Sequence, residues 1–190
     1  MSNKVTYGLK NVHFAPITVD SDTGEVTYET PEKMLGAVEL SLEARGDMVE
    51  FYADDMLFYS AQNNQGYEGT LSISQIPEKF STDVLGEEKD EDDAVITEKL
   101  TAQGSPFALM FEFQGDKKAI RHVLYHCTAN RPTVSSTSKT DSVEPNANEL
   151  TFIASGRESD GYVKTRTTTN TSSTIYDAWF DEVYEKDESA

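Results

Sequence analysis

Large apolar side chains occupy every second position at the start of the segment 107–132. Successive side chains of a β-strand point to opposite faces, so this spacing indicates a strand with one buried face. The sequence QGDK at 114–117 is typical of a turn, and a second apolar and β-branched stretch follows it. The segment therefore predicts a long antiparallel hairpin. Its first strand would bury Phe107, Leu109, Phe111 and Phe113, and its second strand would bury Ile120 and Leu124.

Weaker alternation elsewhere predicts more antiparallel strands on both sides of this hairpin. The polar residues 20–24 would form the turn between the first two strands. Residues 37–44 alternate cleanly enough to predict a strand with one face in water. The predicted strands are 12–19, 25–30, 37–44, 67–74, a strand that begins at 150, and 161–167 as the partner of that strand.

Residues 76–86 predict the main helix of the chain. Pro77 suits the first turn of a helix, and Gly86 suits its end. The apolar stripe of this helix is narrow, so we expect the helix to be stable only when it packs on a sheet. The closing stretch 175–184 also has apolar residues at helical spacing.

These elements predict a single domain over residues 1–190 with a mainly β fold, about seven or eight antiparallel strands with one docked helix. A chain of 190 residues is long enough for one well-buried core and short for two domains. The one-face alternation also predicts which side chains fill the core. They are Val38, Leu40, Leu42, Leu71, Ile73, Phe80, Phe107, Leu109, Phe111, Leu124 and Phe152.

The stretch 45–66 is rich in aromatic residues but has no period that would bury them all on one face. Contiguous apolar surface that remains exposed usually marks an interface. We therefore expect a mobile loop that serves as a self-assembly site and becomes ordered when copies of the chain associate. The residues expected to form this site are Met48, Phe51, Tyr52, Asp54, Asp55, Met56, Phe58 and Tyr59.

Acidic residues outnumber Lys and Arg by 34 to 16, which gives a net charge of −18. Such a chain repels the phosphates of DNA and RNA, so tight binding of nucleic acid is not expected. Much of the charge lies in the segments 83–98 and 177–190. The simplest interpretation is that both are solvated, with an acidic loop at 87–94 and a frayed C-terminus at 185–190.

No residue pattern makes a positive case for catalysis or for a metal site. His122 and His126 fall on a predicted strand, where about 13 Å would separate them, too far for one zinc ion. Residues 20–24 begin like a calcium-binding loop, but Glu25 stands where that loop needs glycine. Cys127 lies in no nucleophile motif and is expected to be a small buried residue. We therefore expect no enzyme activity, no metal and no cofactor.

The cellular location also follows from patterns in the sequence. No apolar run is long enough to cross a membrane, so no membrane association is expected. The first residues lack the apolar core of a secretion signal, so the protein is expected to stay where it is made. A single cysteine fits assembly in a reducing cytoplasm.

Five segments resemble, in order and spacing, the major tail proteins of siphophages that infect Gram-positive bacteria. Together they cover nearly the whole chain, and their shared order makes the match more specific than any one of them. They are GAVELSLEARGDMVEFYADD (36–55), GYEGTLSISQIPEKFSTDVLG (66–86), the hairpin 106–132 with its GDKKA turn and HVLYHCTA return, DSVEPNANELTFIASGR (141–157) and YDAWFDEVY (176–184).

This resemblance implies a virion structural protein with a phage tail tube-like fold, a β-sandwich flanked by one helix. Six copies would form a hexameric ring, and rings would stack along a tape measure protein and meet the tail-end proteins. The genome would leave the capsid through the lumen without specific binding. The resemblance also implies assembly in the host cytoplasm and a final location in the tail tube of the virion.

A binding module is the alternative from a different functional class. A β-sandwich domain that binds carbohydrate or a receptor would expose aromatic side chains on a preformed platform and remain in a small, closed oligomer. The single tryptophan, Trp179, lies at core spacing within 175–184, which counts against such a platform. The two functions differ in whether the purified protein forms rings or tubes.

Overall fold

The computed structural model of the protein describes residues 3–20, 26–136 and 146–186. The fold is mainly β, as the sequence predicts. Within these ranges no helix has the length and apolar character needed to span a membrane. The strands are β1 (Thr6–Val19), β2 (Val26–Tyr28), β3 (Glu32–Lys33), β4 (Ala37–Ala44), β5 (Met48–Ala53), β6 (Met56–Gln62), β7 (Tyr67–Ile73), β8 (Glu88–Lys89), β9 (Ile96–Thr97), β10 (Phe107–Gly115), β11 (Ile120–Ala129), β12 (Asn148–Ser155) and β13 (Lys164–Arg166). The helices are α1 (Glu78–Asp83) and α2 (Ser173–Asp177), and a 3-10 turn, Ala178–Phe180, follows α2.

One large antiparallel sheet of nine strands curls around the core. Its main path runs β2-β1-β10-β11-β12-β7-β4, while β13 pairs with β11 and β3 pairs with β1. β1 and β4 lie near opposite ends of this path, yet Phe14 of β1 and Leu40 of β4 pack against the same hydrophobic cluster. The sheet therefore curls back on itself and places its two ends across one core, as in a sandwich.

The main core matches most of the predicted one. Eight of the eleven predicted residues are buried there, and Leu40 and Leu42 pack against them while partly exposed. The predicted helix forms as α1 and covers this core. The Phe80 ring of α1 packs edge-on against the rings of Phe14 and Phe107, with centroid distances of 5.0 and 5.2 Å. This contact supplies the docking that so short a helix needs.

Val38 is the predicted core residue that the structure places in solvent, with 66% of its surface exposed. The register of β4 against β7 shifts between Ala37 and Glu39, so Val38 is an extra residue in its strand. Such a bulge changes the face of the residues beside it, and Ala37 packs on the core in place of Val38. The core prediction was wrong here because regular alternation does not reveal a bulge.

The predicted central hairpin forms as β10 and β11. The sequence predicts one buried face for β10, and this was wrong because both faces are buried. Phe107, Leu109 and Phe111 lie in the main core, whereas Ala108 and Met110 belong to a second hydrophobic cluster. A distant part of the chain covers that second face, and local periodicity contains no information about such a contact.

The C-terminal segment 173–186 provides this cover. Trp179 and Val183 are buried in the second cluster together with Tyr125 of β11. The Arg157 side chain is nearly buried and forms ion pairs with Asp160, at 2.6 Å, and with Glu185. Apolar burial and a charge-assisted pairing therefore hold the segment against the sheet.

Strand pairing near the C-terminus differs from the prediction. The sequence predicts that 161–167 pairs with the strand at 150, but β13 pairs with β11. β12 already has β11 on one side and β7 on the other, so it has no free edge for β13. The first predicted hairpin does form between β1 and β2, although residues 21–25 of its turn lie outside the described part of the chain.

The acidic segment 87–94 contributes to a small hairpin, β8–β9. The Asp90 carboxylate accepts hydrogen bonds from the backbone N–H groups of Asp92 and Asp93 at 2.9 and 3.0 Å, and these bonds lower the pKa of Asp90. Residues 88–94 are exposed, so their charges remain hydrated. In the predicted frayed segment 185–190, Glu185 has the partner already described, and residues 187–190 lie outside the described part of the chain.

Candidate functional site

The predicted self-assembly site is a β-hairpin rather than an irregular loop. β5 and β6 form a separate two-stranded sheet. Phe51 lies opposite Tyr59 and Tyr52 lies opposite Leu57, and the register shifts by one residue between these pairs. The shift falls at Phe58 and interrupts the alternation, so the strand period is not visible in the sequence.

Both faces of the hairpin expose large apolar side chains. Phe58 is 69% exposed, and the adjacent residues Phe51 and Tyr52, which point to opposite faces, are both more than half exposed. Soluble monomers rarely carry an apolar surface of this kind, because its exposure to water is unfavourable. The structure places all eight predicted site residues in this hairpin, and all are exposed: Met48, Phe51, Tyr52, Asp54, Asp55, Met56, Phe58 and Tyr59.

Asp54 and Asp55 form the tip of the hairpin. Their φ angles of 52° and 58° lie in the left-handed region, which both central residues of a type I′ turn require. Aspartate tolerates this conformation better than most residues because its short carboxylate bonds to nearby backbone groups. The turn therefore places two carboxylates at the outer end of an otherwise apolar element.

Two glycines separate the hairpin from the main sheet. Gly46 and Gly66 have φ angles of 109° and 83°. A Cβ atom at these positions would lie 1.8 Å from the carbonyl oxygen of Asn63 and 2.0 Å from that of Ala154, respectively. The N–H of Arg45 donates to the carbonyl of Gly66 at 2.9 Å and closes the β4–β7 pairing at this point. The hairpin is thus a distinct element on a base that only glycine can form.

Side-chain contacts within the hairpin are limited. The rings of Phe51 and Phe58 meet edge-on with centroids 6.4 Å apart, and the Tyr52 hydroxyl donates to the Glu50 carboxylate at 2.9 Å. A two-stranded sheet of this size is only marginally stable in water. Burial against a second molecule would therefore stabilise both its apolar surface and its conformation.

β11 carries two histidines and the cysteine, residue types that often serve in catalysis or metal binding. His122 stacks on Phe111 with ring centroids 5.0 Å apart, and burial lowers its pKa to about 4. Cys127 is buried, which raises the pKa of its thiol and keeps it protonated. His126 instead contacts the Ser155 hydroxyl at 3.1 Å. Among the described residues, no group of His, Cys, Asp and Glu side chains is arranged to hold a metal ion.

Sequence reasoning missed a second exposed surface, at the far end of the β4–β7 pairing. The N–H of Ser74 donates to the carbonyl of Gly36 at 2.9 Å and closes the pairing at that end. Leu35, just before Gly36, is 69% exposed, and Val38 lies close by. Two clefts of about 330 and 240 Å³ flank this turn. The available signal was an apolar residue directly before a turn glycine, which is too common to indicate a site.

Comparisons with known proteins give one match to a family. The sequence model for the phage tail tube protein family matches residues 1–188. The comparison with curated proteins gives no match.

The solved structures that this chain matches at low identity include the following three. The tube-terminating cap of the anti-feeding prophage is 16% identical, with 87% of this chain and 94% of that chain covered and a TM-score of 0.45. The sheath/tube terminator of an extracellular contractile injection system is 12% identical, with 83% and 93% covered and a TM-score of 0.46. The sheath–tube complex of such a system is 11% identical, with 87% and 94% covered and a TM-score of 0.48.

The family match extends over both hydrophobic clusters and over the exposed hairpin. It agrees with the resemblance of five ordered segments to phage tail proteins, although it does not separate siphophages from other tailed phages. The chain therefore belongs to the phage tail tube protein family and is a structural protein of the virion tail.

Proposed function

We propose that this chain is the tail tube subunit of a siphophage that infects Gram-positive bacteria. Six copies form a ring, and rings stack along a tape measure protein, between the tail-end proteins, into the conduit for genome ejection. Assembly takes place in the host cytoplasm. The observation that carries the proposal is the β5–β6 hairpin, which exposes apolar side chains on both faces in a chain of the tail tube family.

Burial of this hairpin supplies a driving force for self-assembly. Each large apolar side chain that is fully removed from water contributes about 1.5–3 kcal/mol. Immobilising a side chain at an interface costs about 0.5–1.5 kcal/mol, so the balance favours association. The free hairpin is mobile under this proposal and becomes ordered in the tube, because a two-stranded sheet alone is marginally stable.

The charge of the chain suits a conduit for DNA. A ring of six copies carries 6 × 18 = 108 net negative charges. Acidic side chains at the lumen would repel the phosphates, which keeps the genome centred and free to slide. The DNA thus passes through without specific binding.

Exposed aromatic residues are also a feature of carbohydrate- and receptor-binding modules. Trp179, however, is buried in the second hydrophobic cluster and is unable to serve on an open platform. Most of the large aromatic side chains that are exposed lie on the hairpin. This distribution, together with the family match, favours self-assembly.

Negative-stain electron microscopy of purified protein tests the proposal. We expect rings or tubes of uniform bore from the natural chain. Phe58→Ser should abolish them, whereas Leu100→Ser should leave them intact, because Leu100 is 93% exposed and lies outside the hairpin. Failure of the natural chain to form any regular assembly at high concentration, with or without the tape measure protein, would contradict the proposal.

A further inference from the structure

We propose that the β5–β6 hairpin of one copy docks into the two clefts beside Gly36 on a second copy of this chain. We call these two clefts, with the turn between them, the Gly36 clefts. The contact is head-to-tail and joins two different surfaces of the same protein. This inference rests on the proposed function, because it assumes that copies of the chain stack.

The two surfaces lie at opposite ends of one pair of strands. The pairing of β4 with β7 is closed by Gly36 and Ser74 at one end and by Arg45 and Gly66 at the other. The nine residue-to-residue steps from Gly36 to Arg45 span about 30 Å at the rise of a strand. A contact between unlike surfaces at opposite ends repeats without closing on itself, so it generates an open stack of copies.

The Gly36 clefts combine apolar and basic side chains. The residues that line the larger cleft include Lys33, Leu35, Ile76 and Pro77. The smaller cleft shares Lys33 and Leu35 and adds Lys10. Among the residues that the structure describes, no Asp or Glu lines either cleft, although acids outnumber basic residues two to one in the chain.

The hairpin has the complementary character. Residues 46–62 contain four acids, Asp47, Glu50, Asp54 and Asp55, and no Lys or Arg. Within the described part of the chain, neither Lys10 nor Lys33 has a carboxylate within ion-pair distance. Docking would therefore give these lysines carboxylate partners and would fix the orientation of one copy on the next.

The apolar parts of the two surfaces match as well. Leu35, which lines both clefts, is about two-thirds exposed, and Met56 and Phe58 are exposed to a similar extent on the hairpin. Contact between them removes apolar surface from water on both partners. An apolar centre with charged groups at its margin is the usual arrangement of a specific interface.

Cross-linking of the assembled full-length chain tests this docking. The variant Met56→Cys with Leu35→Cys carries one cysteine on the hairpin and one at the clefts, and a short bis-maleimide is added to its tubes. The native Cys127 is buried and does not compete. Because each copy has both ends of the contact, we expect a denaturant-resistant ladder of dimers, trimers and longer species.

Matched variants separate the possible outcomes. Met56→Cys with Leu100→Cys places the second thiol on another highly exposed leucine and should give no ladder. Lys33→Glu should shorten or abolish tubes, whereas Lys117→Glu, the same reversal at an exposed lysine outside the clefts, should not. Intact tubes that give no ladder with Leu35→Cys, or an equal ladder with Leu100→Cys, would overturn the docking while leaving the proposed function in place. Absence of tubes from the natural chain would instead overturn the proposed function.

Discussion

Phe111 and His122 show how single residues hold the central sheet together. Their rings stack at a centroid distance of 5.0 Å across β10 and β11, and the Phe113 ring lies 5.2 Å from Phe111. Phe111 is completely buried, whereas the hairpin residue Phe58 is largely exposed. The same amino acid therefore packs the core in one place and, in the proposed function, serves assembly in the other.

Replacement of Phe111 by alanine should lower the free energy of unfolding by about 3–5 kcal/mol, because it leaves a cavity in a packed core. Denaturant unfolding of the monomer measures this loss. Phe58→Ala is the matched control and should cost less than about 1 kcal/mol. If the two variants lose equal stability, Phe111 does not have the buried position that the structure gives it.

His122 should make stability depend on pH. Burial, with Lys164 and Arg166 nearby, lowers its pKa from 6.5 to about 4. Between these values the unfolded chain binds more protons than the folded one, so stability falls as the pH falls from 6.5 towards 4. The resulting loss in the free energy of unfolding is at most about 3 kcal/mol.

The acids of this chain titrate over part of the same range, so a single pH curve does not isolate His122. The measured quantity is therefore the difference in unfolding free energy between the natural chain and His122→Gln. We expect this difference to change by at least about 1 kcal/mol between pH 7 and 4.5, with the natural chain losing more. A difference that is independent of pH would show that His122 keeps an ordinary pKa.

At the scale of elements, the hairpin should be removable without loss of the fold. Deletion of residues 48–64 joins Asp47 to Gln65, and the N–H of Gln65 already donates to the Arg45 carbonyl at 3.0 Å. Gly46 and Asp47 then form a two-residue turn, with the positive φ of Gly46 suited to the first position of a type II′ turn.

We expect the deleted chain to be a folded monomer with a stability within about 1 kcal/mol of the natural one, since the removed residues belong to neither core. Circular dichroism and denaturant unfolding measure the fold, and electron microscopy measures assembly. Loss of tubes with retention of the fold is the expected result. Normal tubes from the deleted chain would show that the hairpin is dispensable.

The sequence predicts elements well where local period and burial agree. β10, β11 and α1 were predicted because their apolar residues keep a regular spacing. The bulge at Val38 and the shift at Phe58 were not, because one inserted residue changes the face of its neighbours without changing composition. The exposed residues of the candidate site were predicted from their lack of period, but their hairpin conformation was not.

At the scale of the whole molecule, long-range packing is the main feature that the sequence did not predict. The contact of Trp179 with the second face of β10 joins segments about seventy residues apart. β13 pairs with β11 and not with β12, the strand that directly precedes it in sequence. Net charge, by contrast, is a sum over residues and follows directly from the sequence. Predictions about charge therefore depend less on the fold.

The protein should have no measurable affinity for duplex DNA at a salt concentration of about 0.15 M. Residues 117–121 contain the densest basic cluster in the sequence. Arg121 of this cluster pairs with Glu112 at 3.1 Å, and both Arg121 and Lys118 pack on the Tyr176 ring. These contacts reduce the number of cations free to bind phosphate.

Fluorescence anisotropy with a labelled duplex measures the affinity, before and after tube assembly. A map of the assembled tube shows separately which side chains face the lumen, where we expect acids to dominate. Saturable binding that weakens steeply with salt would contradict the first expectation, and a neutral or basic lumen would contradict the second.

The glycine base sets the hairpin apart from the core, so in the proposed stack each hairpin would act as a separate contact. One hairpin would bury little surface, so a single contact between two free subunits would be short-lived. A complete ring would present six hairpins together, and after the first contact forms the others close at a high effective concentration. Avidity of this kind would let a stock of free subunits persist while an existing ring end recruits them. Tube length would then depend on where growth starts and stops, and not on the supply of subunits.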